Sequence, residues 1–140
     1  MNAVIPEPTS NLPRTGSILV VEDDPSTARS VASILQRAGY ETAVCHNGTA
    51  ALNMARDLRP TAAMVDIHLP DLSGLILTQK LREQLGPGVP IIVVSGDTSM
   101  ETLNSLSYVG ATYFLSKPMA ANVLLQLLGT CLGDAGRRAS

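Results

Sequence analysis

The sequence predicts an α/β fold, a doubly wound five-stranded parallel sheet with five helices, packed as a three-layer sandwich. Three observations predict it. Short β-branched and apolar runs alternate with segments whose apolar residues recur three and four apart. Polar, glycine or proline residues close each run. The alternation repeats five times in one order, and parallel strands need crossover helices that then cover both faces of the sheet.

Each element follows in order. Residues 18–21 (ILVV) form a run suited to a strand buried on both faces. Glu22, Asp23 and Asp24 interrupt it, and Pro25 suits a first helical turn, where its missing N–H is not needed. Ala28, Val31, Ala32, Leu35 and Ala38 recur at helical spacing, and Gly39 stops that helix. Residues 41–46 give a second, more polar strand. Asn47, Gly48 and Thr49 then start a helix with Ala51, Leu52, Ala55 and Leu58 on one face. Residues 61–65 are a buried strand ending in Asp66, and residues 69–74 (LPDLSG) are a loop. Leu77, Leu81 and Leu85 mark the third helix. Residues 90–94, the most apolar strand, end at Ser95 and Gly96. Met100, Leu103 and Leu106 indicate a fourth helix, residues 111–115 a fifth strand, and residues 119–132 a fifth helix. Residues 1–16, with Pro6, Pro8, Pro13 and Gly16 among polar residues, read as a disordered tail. Residues 133–140 (GDAGRRAS) read as a C-terminal tail or linker stub, which leaves 17–132 as the folded domain.

Composition narrows the function classes. A chain that is 45% hydrophobic and 16% charged builds a packed core. The net charge of −2, from 10 basic and 12 acidic residues, argues against a strongly basic surface for nucleic acid or anionic lipid. No apolar run is long enough to span a bilayer, and the N-terminus lacks the basic and apolar regions of a secretory signal. Cys45 and Cys131 give neither a disulfide framework nor a zinc motif. A cytoplasmic protein with reduced thiols is the simple expectation, with no direct contact to nucleic acid or membrane.

In an open parallel sheet the ligand sits at the C-terminal ends of the strands, near the point where strand order reverses. The first strand brings Glu22, Asp23 and Asp24 there, the third Asp66 and the fourth Ser95, while the fifth leads into Lys117 and Pro118. Acids from two strands converging on one crevice repel each other. A hard divalent cation relieves that repulsion, and carboxylates with water suit Mg²⁺. A lysine ammonium and a hydroxyl beside them each suit a phosphoryl oxygen. The set reads as Mg²⁺-assisted phosphoryl transfer to a carboxylate. Taken singly, an acid at a loop start is more often a helix cap or a solvated turn residue. Asp66 is less easily explained so, because an unpaired acid after a buried strand is costly.

The runs ILVVEDDP, MVDIHLPDLSG, PIIVVSG and GATYFLSKP together resemble the receiver domain of two-component response regulators. Each motif alone is weak; all four in order, at the right strand ends, are specific. The resemblance implies a flavodoxin-like receiver fold and these roles. Asp66 is the phosphoacceptor, taking a phosphoryl group from a histidine kinase or histidine phosphotransfer protein. Glu22 and Asp23 are the acidic pair serving Mg²⁺, with Asp24 outside the pair. Asp23 and Asp66 bind the metal through side chains, Glu22 through water and His68 through its backbone carbonyl. Ser95 and Lys117 bind phosphoryl oxygens, and the Lys117-Pro118 bond is cis. Ser95 and Phe114 form the switch pair, the ring turning inward as Ser95 moves toward the phosphoryl group. His68 and Asp97 occupy the two positions whose side chains tune phosphoryl loss. Tyr113 departs from the Asp or Gly usual at its position.

The ring of His68 is not expected to ligate metal, since no second His or Cys stands at ligand spacing and His46 is remote in sequence. From Pro118 to Gly133 there is no charged residue. Val123, Leu124, Leu127 and Leu128 suit the core face of the fifth helix, with Leu125 and Leu132 falling away from it. Such a helix has either a partner or a covering tail or loop. The partner reading gives a homodimer through the apolar helix 5 face, or a docking surface for a downstream protein or output domain, beside Phe114. Two rival functions stand beside the phosphorelay receiver, which is a signalling domain and not an enzyme in the ordinary sense. One is a pseudo-receiver acting only by protein contact. The other is an aspartate-nucleophile phosphatase, although that class carries an acid where this chain has His68.

Overall fold

The computed structural model describes residues 16–96 and 99–133. The expected tails therefore lie outside the described residues, apart from Gly16 and Gly133, and so does Asp97. Gly16 already belongs to the fold, because its carbonyl accepts the Glu41 N–H at 3.1 Å.

One sheet holds five parallel strands in the order β2-β1-β3-β4-β5. They are β1 (Ser17–Val21), β2 (Glu41–Cys45), β3 (Ala62–Asp66), β4 (Ile91–Ser95) and β5 (Tyr113–Ser116). Between and after them run helices α1 (Pro25–Arg37), α2 (Gly48–Leu58), α3 (Gly74–Leu85), α4 (Met100–Val109) and α5 (Ala121–Leu128). Strand order reverses between β1 and β3, so the crevice of a doubly wound sheet opens where Glu22 and Asp66 stand.

Two-residue alternation sends side chains to opposite faces. Ile18, Val20, Met64, Ile92 and Val94 pack with Val31 and Leu35 of α1 and Leu124 and Leu128 of α5. Leu19, Val21, Ala63 and Val65 pack on the other face with Ala51 and Ala55 of α2 and Leu77 and Leu81 of α3. A smaller cluster of Ile67, Val93 and Leu106, with Phe114 and Leu103 against it, seats α4.

The structure differs from the sequence expectation at several ends. Pro90 has no N–H to give the ladder, so β4 starts at Ile91 and runs on to Ser95. β5 starts at Tyr113 and not at residue 111, because Gly110 (φ +88°) turns the chain out of α4 and the Ala111 N–H still bonds back to the Leu106 carbonyl. The fifth helix is shorter than 119–132: α-helix holds only over Ala121–Leu128 and passes into a π-turn at Gly129–Gly133. There the Thr130 hydroxyl donates to the Gln126 carbonyl at 3.0 Å, the acceptor a regular turn would use. The wider turn brings Leu132 back onto the core with Leu125, while Val123 is exposed, the reverse of the expected assignment for these three.

Candidate functional site

Glu22, Asp66 and Lys117 reach one side of the sheet by the same two-residue alternation. Val20, Met64 and Leu115, two residues before each, all face the α1/α5 cluster. β1 and β3 end at the edge of that cluster, so both acids are taken largely out of water: Glu22 is 6% exposed and Asp66 4%. Asp23, one residue further along, is exposed.

The Lys117 ammonium bridges the two buried acids. Its Nζ donates to Asp66 Oδ2 at 3.1 Å and to Glu22 Oε1 at 3.2 Å. Each carboxylate also accepts a backbone N–H from two residues ahead, Asp24 N to Glu22 Oε2 at 3.2 Å and His68 N to Asp66 Oδ1 at 3.1 Å. Both chains therefore turn around their own carboxylates as the strands end. Oxygens of Glu22, Asp23 and Asp66 lie within 4.8 Å of one another, a set of hard donors that could hold a metal ion. Burial, then the neighbouring Asp66 carboxylate, pushes Glu22 above the ordinary carboxylate value. Burial works against the Lys117 ammonium, but hydrogen bonds and charges from Asp66 and Glu22 outweigh it and raise its pKa.

The neighbouring acid Asp24 does different work. Its Oδ2 accepts from Thr27 N at 2.9 Å and Thr27 Oγ1 at 2.6 Å, capping α1 ahead of Pro25. Ser95 ends β4 fully buried, and its carbonyl accepts the Lys117 N–H at 2.9 Å. The Lys117-Pro118 bond is cis. Phe114 sits with Ile67, Val93 and Leu106 on the opposite face. A cavity of about 500 Å³ runs from Glu22, Asp66 and Lys117 beneath α1 and α5, walled by Val31, Met64 and Leu124.

Two further residues, neither given a role from the sequence, make contacts at the strand ends and the loops that follow them. His46 follows β2 directly, and its Nδ1 lies 2.9 Å from the Glu22 carbonyl oxygen. Its place at a strand's C-terminal end was the available signal. Asp71, in the loop after Asp66, binds the start of α2; nothing in its own residue type marked it.

A parallel sheet that gathers acids and a lysine at the ends of β1, β3 and β5 defines a receiver-type domain, and comparison with known proteins agrees. The model of the response regulator receiver domain matches residues 18–129. The polar-differentiation response regulator DivK of Brucella anthropi is 30% identical over 120 residues, covering 85% of this chain and 98% of that protein. A CheY-like response regulator receiver domain protein from Methanospirillum hungatei superposes with a TM-score of 0.81 at 28% identity, covering 91% of this chain and all of that one. Chemotaxis protein CheY4 of Vibrio cholerae gives 0.80 at 30% identity, over 85% of this chain and all of that one. The chain belongs to the response regulator receiver domain family of two-component systems.

Proposed function

We propose that this domain is a phosphorylation-operated switch in which Asp66 accepts a phosphoryl group from a histidine kinase or histidine phosphotransfer protein. The observation that carries the reading is the Lys117 ammonium shared between Asp66 and Glu22 at 3.1 and 3.2 Å, with Asp23 alongside. Three carboxylates against one ammonium leave the cluster negative, which fits Mg²⁺ held by Glu22, Asp23 and Asp66 with the His68 carbonyl. When bound, the metal neutralises charge on phosphoryl oxygens. The residues do the rest. An Asp66 oxygen attacks phosphorus, the N–P bond of the phosphohistidine breaks, and the imidazole leaves with the bonding pair. Lys117 releases Glu22 and pairs with a phosphoryl oxygen, and Ser95 donates its hydroxyl to another. Attack by water then returns inorganic phosphate and the free carboxylate, with the side chains of His68 and Asp97 setting its rate. The domain thus acts on itself and turns over no external substrate.

Readout runs through α4, β5 and α5. Ile67, next to Asp66, shares its cluster with Phe114 and Leu106, so a change at the site reaches α4 through packed side chains. Tyr108, Tyr113 and Val123 are exposed on these three elements, Tyr108 at 88%. We assign this face to a downstream protein, an output domain or a second copy of the chain. Among the described residues no helix is long and apolar enough to cross a membrane, in keeping with a cytoplasmic site of action.

The test is intact-protein mass after incubation with acetyl phosphate and Mg²⁺, for the native chain and Asp66→Asn, with a metal-free control. One phosphoryl group that requires both Mg²⁺ and Asp66 is the expected result. No gain under any condition would leave a pseudo-receiver. Light scattering with and without a phosphoryl mimic tests the second-copy version of the output face.

A further inference from the structure

The loop after Asp66 is fixed at both its base and its tip. At the base, the Gly74 N–H donates to the Ile67 carbonyl at 2.7 Å, closing residues 67–74 into one turn. Gly74 lies so close to the Asp66 and Ile67 backbone that any Cβ would meet it. At the tip, Asp71 crosses to the beginning of α2. Its Oδ1 accepts the Gly48 N–H at 2.8 Å, and its Oδ2 accepts the Thr49 N–H at 2.9 Å and the Thr49 hydroxyl at 2.8 Å. Leu72 packs beside it against Gly48, where a Cβ would collide with the leucine methyls. His68, Leu69 and Pro70 lie between these two anchorages, and the His68 N–H is held by Asp66 Oδ1 at 3.1 Å.

We infer that Asp71 is a positioning residue for the metal: its clasp on the first turn of α2 aims the His68 carbonyl at the acidic cluster. The inference rests on the metal reading proposed above. The two N–H groups Asp71 takes have no partners inside the helix, so the clasp also satisfies α2. The hydrogen bonds from Gly48 and Thr49 hold the Asp71 carboxyl down at about 2, so it stays ionised at any working pH. Asn cannot replace it, because its amide N–H₂ would face one of the donors.

The test is calorimetric titration of the full chain with Mg²⁺, comparing the native protein with Asp71→Asn and Thr49→Ala. Thr49→Ala removes one of the three bonds without altering charge, so it separates positioning from simple loss of a negative residue. Thermal melts without metal establish that each variant is folded. Asp71→Asn should bind Mg²⁺ about tenfold more weakly, the scale seen when a group that orients a ligand is lost. Thr49→Ala should shift in the same direction by less. Phosphorylation by acetyl phosphate should slow at limiting Mg²⁺ and recover at saturating Mg²⁺. If Asp71→Asn does not fold, Thr49→Ala carries the comparison. Unchanged Mg²⁺ affinity in the folded variants would overturn the inference while leaving the metal reading intact. A native chain that takes up no Mg²⁺ would overturn the metal reading itself, and this inference with it.

Discussion

Removing the Lys117 ammonium should destabilise the metal-free protein and enlarge its response to Mg²⁺. Nζ stands 3.1 Å from Asp66 Oδ2 and 3.2 Å from Glu22 Oε1. At an effective dielectric constant of about 20, each attraction is worth about 5 kcal/mol before desolvation. The carboxylate oxygens of Glu22, Asp23 and Asp66 lie within 4.8 Å of one another. On the same scale, each like-charge pair at that limit costs at least about 3.5 kcal/mol. Two attractions thus stand against three repulsions of at least comparable total, and Lys117→Ala leaves the repulsions unopposed. The measured cost will be smaller than the gross figure. The lysine side chain is 35% exposed and screened by water, and Glu22 can escape by taking a proton. Breaking a fully buried pair costs about 3–5 kcal/mol, so about 2 kcal/mol is expected here. The sign with pH follows from Glu22, whose folded value is already raised by burial. A raised group contributes stability that is present below the ordinary 4.5 and is lost as pH rises through its folded value. Losing Lys117 raises it further, so the deficit should be largest at neutral pH and shrink on acidification. Urea unfolding of native and Lys117→Ala protein, near neutral and near the ordinary carboxylate value, with EDTA or Mg²⁺, measures all of this. Saturating Mg²⁺ should close most of the gap at neutral pH. A deficit independent of both pH and Mg²⁺ would refute the electrostatic argument and leave only packing of the lysine's methylene stem.

Other perturbations separate the fold from the site. Gly74→Ala drives a Cβ into the Asp66 carbonyl and the Ile67 backbone, and backbone cannot yield as a side chain does. It should cost about 3 kcal/mol in urea unfolding. Arg82 donates to the carbonyls of Gly86, Val89 and Gly110 and to the Thr112 hydroxyl, tying the end of α3 to the turn before β5. Arg82→Ala should cost about 2 kcal/mol and speed amide exchange in that turn, with Lys recovering only part. Leu128→Ala empties a fully buried position between α5 and the sheet, and denaturant midpoints should report a loss of about 3 kcal/mol. For Asp71, the carboxyl is depressed to about 2 by Gly48 and Thr49, so its contribution is present above the ordinary 3.8 and lost as pH falls toward 2. The stability difference between native protein and Asp71→Asn should therefore vanish over that range, which acid titration of both proteins reads directly.

Much of this molecule was legible because the relevant signals are local. Continuous runs such as IIVV and helical spacing such as Leu77 with Leu81 state their own period, and both sit where that period places them. The strand-end rule brought Glu22, Asp23, Asp66, Ser95 and Lys117 to one edge because a parallel sheet aligns all its C-terminal ends. What stayed hidden depends on contacts distant in sequence or on a balance between neighbours. Asp71 meets Thr49 across 22 positions, and His46 meets Glu22 across 24. No periodicity encodes such a meeting. The late start of β5 depends on the turn at Gly110, and α5 passes into a π-turn where Gly129 and Thr130 share the Gln126 carbonyl. Propensity sees these residues but not the bonds they make.

Under the proposed function, alternation gives the site a route to a surface on the other side of the sheet. Asp66 and Lys117 face α1 and α5, while Ile67, directly after β3, and Phe114 on β5 belong to the cluster under α4. The step from Asp66 to Ile67 thus passes from one side of the sheet to the other. Among the described residues, the buried part of that cluster is only Ile67, Val93 and Leu106, whereas the other two clusters are far larger. The element held by the least buried apolar surface is the one whose position costs least to change. Reversing a population from one to ninety-nine needs about 5.5 kcal/mol of differential interaction. In the proposed switch, re-pairing Lys117, whose loss costs about 2 kcal/mol net, supplies part of that reversal, and it is too small to unfold the cores that hold α1, α2, α3 and α5 in place.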